Sequence, residues 1–104
     1  MSILSFLGFG KNTVQKALEN GAVIIDVRTV NEYDRGRIPE SLNIPVNLID
    51  TNIERIKGME RPVVCCCESG MRSGKAVRIL KSHGIKDVHN GGNWMKVLKM
   101  VNNL

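Results

Sequence analysis

Aromatic residues are scarce in this chain: one Trp, one Tyr and two Phe among 104 residues. Surfaces that stack bases need such side chains, so a nucleic-acid partner is not expected. No apolar run approaches the roughly 18 residues that span a bilayer, so no membrane span is expected. The opening MSILSFLGFG is apolar but short. It has no basic start and no A-x-A-like cleavage site, which argues against a signal peptide. It reads as an arm, residues 1–10, that packs on the domain or on a partner. Cysteine is confined to Cys65, Cys66 and Cys67. A disulfide between adjacent cysteines closes a strained ring, so a disulfide framework is excluded in practice. Adjacent strand residues face opposite ways. At most two of the three thiols could therefore converge on one ion, and neither His83 nor His89 stands at a ligand spacing. A metal is not expected. Free thiols fit a reducing compartment, expected to be the cytoplasm.

What is present is ordinary in bulk: 42% hydrophobic and 24% charged residues, as in a soluble globular protein. The length suits one domain, expected over 11–104. The net charge of +5 is uneven. From Ser69 onward, Arg72, Lys75, Arg78, Lys81, Lys86, Lys96 and Lys99 stand against Asp87 alone. With stacking residues so few, attraction of a small anion or an acidic partner fits this excess.

The elements alternate. Asn12 or Thr13 can cap a helix carrying Val14, Ala17 and Leu18 that stops at Gly21. AVIID, 22–26, reads as a strand buried on both faces. Thr29-Val-Asn-Glu32 is a capping box opening a short helix that ends at Gly36. Leu42–Ile44 is a short strand closed by Pro45, and residues 46–57 suggest a helix. PVVCCC, 62–67, is a second buried strand. Ser73 or Gly74 then opens a helix with Ala76, Val77 and Leu80 on one side, ended by Gly84. A last strand covers 87–89, and Trp94, Val97, Leu98 and Val101 form a final helical stripe. Strands alternating with helices imply a parallel sheet covered on both faces. The ligand site of such a sheet lies beyond the carboxyl ends of its strands, where the stretch after PVVCCC falls.

Gly70 lets the chain turn tightly there, and successive N–H groups of such a turn form an anion-binding nest. The next helix adds the positive end of its dipole. A cysteine at that mouth has its thiolate favoured, with a pKa below the free value of about 8.5. Arg72 can pair with an incoming oxyanion. Cysteine, nest and arginine together suit attack on an anionic substrate. Two registers compete. A phosphatase-type spacing, five residues between Cys and Arg, selects Cys66; a spacing one residue shorter selects Cys67. Gly70 stands three positions after Cys67 but four after Cys66, where cysteine phosphatases usually have their glycine at three. That favours Cys67.

Cys67-Glu-Ser-Gly-Met-Arg-Ser73 resembles the C-x-x-G-x-R-S loop of the rhodanese-like sulfurtransferases. IIDVRTVNEYDRGRIPESLNIPV, 24–46, is similar to that family's first signature, a strand ending D-V-R, then E-[YF], G-H-I-P-G-A and N-I-P. GIKDVHNGGNW resembles its last strand and glycine-rich turn. Arg37 stands where the family usually has histidine, and Glu40 where glycine is common. The resemblance implies a three-layer α/β fold, a mostly parallel sheet of four to five strands with helices on both faces. It also implies a sulfurtransferase without a metal or organic cofactor. Cys67 would take the outer sulfur of a small anionic donor such as thiosulfate as a persulfide and give it to a thiol, a protein thiol or cyanide. Glu68, Ser69, Gly70, Met71, Arg72 and Ser73 would form the substrate cradle, and Arg72 would neutralise the departing anion. The alternatives are a persulfide carrier or interaction module with little turnover, and a phosphatase or arsenate reductase using Cys66.

The remaining residues take plainer roles. Cys65 and Cys66 read as core, with a resolving thiol as the alternative. Asp26 and Arg28 would pair with each other or with backbone and brace the loop wall. Ser69 and Ser73 read as a loop hydrogen bond and a helix cap, His83 as a helix end, His89 as a polar loop residue and Trp94 as core. A monomer or weak dimer is expected.

Overall fold

The computed structural model describes residues 9–104. Helix α1 spans Phe9–Glu19, strand β1 Val23–Asp26, α2 Val30–Arg35 and β2 Leu42–Asn43. Two single 3₁₀ turns, Val46–Leu48 and Asp50–Asn52, lead into α3, Ile53–Met59. Then come β3, Val63–Cys67, α4, Met71–Ser82, β4, Val88–Asn93, and α5, Trp94–Asn102. The four strands pair in the order β2-β1-β3-β4, all parallel.

Each face of the sheet carries its own core. On one, Val23, Ile25, Val63, Cys65 and Cys67 pack against Ile53 and Ile56 of α3 and Ala76, Val77 and Leu80 of α4. On the other, Val64 and Cys66 pack against Val14, Ala17 and Leu18 of α1, Val97 of α5 and Ile38. This is the expected three-layer α/β arrangement, with four strands. The alternation of side chains along β3 sorts the cysteines: Cys65 and Cys67 face one layer, Cys66 the other. Among the described residues no helix is long and apolar enough to cross a membrane.

Several boundaries differ from the sequence expectation. Helix α1 is already formed at Phe9, upstream of the caps expected at Asn12 or Thr13, so neither residue opens it. The arm expected over 1–10 otherwise lies outside the described residues. The stretch 46–57 is two tight turns before a helix that begins at Ile53, because Pro45 sets an extended entry (ψ 148°) and Asn52 (φ −114°, ψ 12°) breaks the helical run. Strand β4 runs to Asn93, through both glycines and past His89, so His89 is a strand residue and not a loop one. Its Nε2 lies 2.7 Å from Asp87 Oδ1. His83 caps the end of α4, as expected.

Candidate active site

The capping box read from the sequence is present. The Glu32 amide donates to Thr29 Oγ1 at 3.2 Å, and the Thr29 amide donates to Glu32 Oε1 at 2.9 Å. Just before it, Asp26 and Arg28 form a buried ion pair at 0% and 3% exposure. Arg28 Nε and Nη2 reach Asp26 Oδ2 at 3.0 and 2.7 Å, and its remaining donors go to the carbonyls of Glu32 and Gly36. Trp94 stacks on the guanidinium at 4.5 Å, so this aromatic belongs to the wall of the site as well as to the core beneath α5. Asp26 and Arg28 thus pair with each other, and Arg28 with backbone, as expected.

The loop joins β3 to α4. The helix opens at Met71 with Gly70 as its N-cap, in the left-handed region (φ 95°) that glycine enters without strain. Ser73 is therefore not the cap expected of it. It lies inside the first turn, fully buried, because Gly70 already makes the turn as the N-cap.

That placement brings the first turn onto the Cys67 sulfur. The Gly70 amide donates to Sγ at 3.0 Å and the Ser73 amide at 3.4 Å, while Ser73 Oγ lies 3.3 Å away. Burial works against the thiolate, but the hydroxyl and amide of Ser73 and the amides of Gly70 and Ser69 outweigh it, and the pKa falls below the ordinary thiol value. Its neighbours go the other way. Burial, with the charge of Cys67 nearby, pushes Cys65 up to about 12, and burial, with Asp26 nearby, raises Cys66 as well. Cys66 packs on the far side of the sheet with Val64 and Ile38, away from the face that Cys67 and α4 share.

The other loop residues divide. The Met71 amide turns to Ser69 Oγ at 3.4 Å, and its side chain is 79% exposed. Glu68 points outward, 4.0 Å from Arg28 Nη1. Arg72 does not present a free guanidinium. Its Nη1 and Nη2 hold Glu32 Oε1 and Oε2 at 2.7 and 3.1 Å.

Sequence reasoning missed three participants. Asn90 Nδ2 donates to the Gly70 carbonyl at 3.0 Å, and its Oδ1 accepts from Ser73 Oγ at 2.6 Å and from the Gly92 amide at 2.9 Å. Asn93 Nδ2 donates to the Glu68 carbonyl at 2.8 Å. These two asparagines hold the loop from the neighbouring strand. Asn90 is aimed by a β-bulge, since Cys65 pairs with Asn90 but Cys66 pairs with Gly92. The skipped Gly91 has no room for a side chain: a Cβ there would lie 2.7 Å from Val97 and 2.9 Å from Val64. Glu32 is the third. The repeated asparagines of NGGN and the acid of the capping box were the available signals.

Two cavities flank the loop. One, of about 490 Å³, is lined by Ser69, Gly70, Met71, Gly92, Lys96 and Met100 among others. The other, of about 280 Å³, is lined by Arg28, Glu32, Arg35, Gly36, Glu68 and Trp94.

A parallel α/β sheet with a thiolate-favouring strand–loop–helix turn at the carboxyl end of a central strand defines a class of cysteine-loop domains. Within that class the affiliation is specific. The family model described as "Rhodanese-like domain" matches residues 11–92, and the chain belongs to that family. It is 34% identical over 91 residues to a putative mitochondrial thiosulfate sulfurtransferase of Schizosaccharomyces pombe, covering 75% of this chain and 64% of that one. It is 33% identical over 67 residues to the putative sulfur carrier protein YrkF of Bacillus subtilis, covering 64% and 36%. Among solved structures, a rhodanese with anions from E. coli superposes with a TM-score of 0.67 at 27% identity, covering 73% of this chain and 91% of that one. The chain spans between about a third and two thirds of the length of several curated relatives that it matches.

Proposed function

We propose that this domain is a sulfurtransferase that carries a sulfane sulfur on Cys67. The observation that carries the reading is the convergence of the Gly70 and Ser73 amides on Cys67 Sγ at 3.0 and 3.4 Å, with the thiolate favoured. The thiolate attacks the outer sulfur of a donor such as thiosulfate. The donor's S–S bond breaks, its electron pair leaves on sulfite, and Cys67 holds the persulfide. An acceptor thiolate or cyanide then attacks the terminal sulfur and restores the Cys67 thiolate. The loop amides stabilise the negative sulfur at both ends of the cycle. Sulfurtransferase names among the relatives support this reading.

The test is thiocyanate formation from thiosulfate or a thiosulfonate with cyanide, in wild type and in Cys67→Ser. Loss of activity in the variant is expected; unchanged activity would remove Cys67 as the nucleophile. A mass gain of about 32 Da, one sulfur atom, is expected on donor-treated wild type and not on the variant.

A persulfide carrier is the second reading. It is supported by the sulfur-carrier name of one relative. A mass gain on Cys67 with negligible turnover would select it. A phosphatase register through Cys66 is disfavoured by the burial of that thiol on the opposite face.

A further inference from the structure

Arg72, the loop cation that the sequence assigned to an incoming anion, is already engaged. Both of its terminal nitrogens hold the two oxygens of one carboxylate, that of Glu32, at 2.7 and 3.1 Å. Such paired contacts are the strong form of an Arg–carboxylate interaction. The carboxylate is fixed before Arg72 arrives, because Thr29 donates to Glu32 Oε1 from its amide at 2.9 Å and from its hydroxyl at 3.1 Å. Little side-chain freedom is left to lose when the pair closes. Arg28, the other arginine at the loop, is committed to buried Asp26 and lies 4.0 Å from Glu68. The cavity beside Glu68 has two arginine and two glutamate side chains in its lining, so its charges balance.

We propose that Glu32 is a specificity-determining residue: by occupying Arg72 it selects a singly charged sulfane donor, of the thiosulfonate or hydropersulfide class, over doubly charged thiosulfate. The inference rests on the sulfurtransferase reading. With such a donor, the Cys67 thiolate bonds to the outer sulfur and the donor's S–S bond breaks. The leaving sulfinate or thiolate departs with the electron pair, and no oxidant or reductant is consumed. A dianionic donor gains more than a monoanion from a cation at the loop. Supplying Arg72 would require breaking its pair with Glu32.

The experiment compares methanethiosulfonate with thiosulfate, which deliver the same outer sulfur and differ by one charge. Cyanide is the acceptor, and kcat/KM is measured for each donor. Wild type is expected to favour the thiosulfonate. Glu32→Gln preserves the capping box, since glutamine serves at that position, but removes the charge. It is expected to shift the donor ratio toward thiosulfate by about fivefold, mostly through KM. The shift should disappear in Glu32→Gln combined with Arg72→Met. Thr29→Ala, which loosens the helix cap and keeps the carboxylate, should leave the ratio within about twofold. An unchanged ratio in Glu32→Gln, or an equal shift in Thr29→Ala, would overturn the proposal. A second arm needs no turnover: thiosulfate is titrated calorimetrically into Cys67→Ser with and without Glu32→Gln. Affinity about fivefold tighter with Glu32→Gln is expected, and equal affinities overturn the proposal. If wild type transfers sulfur from neither donor, the sulfurtransferase reading fails while the binding arm still decides the role of Glu32.

Discussion

The Ser73 hydroxyl lies 2.6 Å from Asn90 Oδ1 and, on its other side, 3.3 Å from the Cys67 sulfur. A hydroxyl has one proton to give. Asn90 is oriented by its bonds to the Gly70 carbonyl and the Gly92 amide, so its oxygen faces Ser73 and takes that proton. Ser73 Oγ then accepts from the Cys67 thiol. When Cys67 ionises, the same hydroxyl can turn and donate to sulfur, while Asn90 Oδ1 keeps the Gly92 amide. Asn90 therefore competes with the thiolate. Ser73→Ala is expected to move the Cys67 ionisation midpoint up and Asn90→Ala to move it down. Both are read from the pH dependence of iodoacetamide alkylation. Shifts in the same direction would refute the competition.

The three thiols should separate in the same assay. Above its pKa a thiol is thiolate and reacts. The midpoint for Cys67 should therefore lie below that of an ordinary thiol, because its pKa is lowered. Cys65 and Cys66 should stay unlabelled in native protein, because their pKa values are raised. Peptide mapping after labelling at neutral pH checks this, and native labelling of Cys66 would contradict the sorting of faces along β3.

Glu40 has φ 69°, in the left-handed region, at a position where a glycine is common in the resembled signature. A non-glycine residue there costs about 1 kcal/mol. Glycine removes that strain but adds freedom to the unfolded chain. Glu40→Gly is expected to raise Tm by a few degrees at most (for about 0.5 kcal/mol). A clear fall in Tm would show that the Glu40 side chain contributes more than its backbone strain costs.

Acid should weaken the link between α2 and α4. The Arg72 side chain, with the Thr29 amide, lowers the Glu32 carboxyl from 4.5 to about 2. A depressed folded-state pKa contributes stability that is present above the unfolded value and lost as pH falls through the folded one. The contribution should therefore be whole above about pH 4.5 and disappear toward about pH 2. Both partners are about a third exposed, so solvent screening keeps it modest. Glu32→Gln should show a shallower decline of Tm across that interval than wild type, and parallel curves would refute the linkage.

Much of this was legible beforehand for local reasons. The apolar runs 22–26 and 62–67 read as buried strands because a parallel sheet covers both their faces. The Thr29–Glu32 box read as a helix start because its bonds span three residues. The glycine offset singled out Cys67 by spacing alone. The helix start at Met71 was missed because the usual cap residues, Ser69 and Ser73, flank the position and glycine took it instead. Strand β4 was read too short, because two adjacent glycines look like a turn until a partner strand absorbs them as a bulge.

The sequence by itself determined the layered fold, the loop and the cysteine that opens it, since these follow from periodicity, turn chemistry and spacing along one stretch of chain. Only the tertiary structure decided what the loop's charges and hydroxyls touch. Glu32 stands 40 residues from Arg72 in the chain, and Asn90 stands 17 from Ser73. A capping acid and a strand asparagine have adequate local partners, so nothing local reveals a second one. Bringing the first turn of α2 within side-chain reach of the first turn of α4, and seating a bulged strand beside the loop, placed those groups within hydrogen-bond distance.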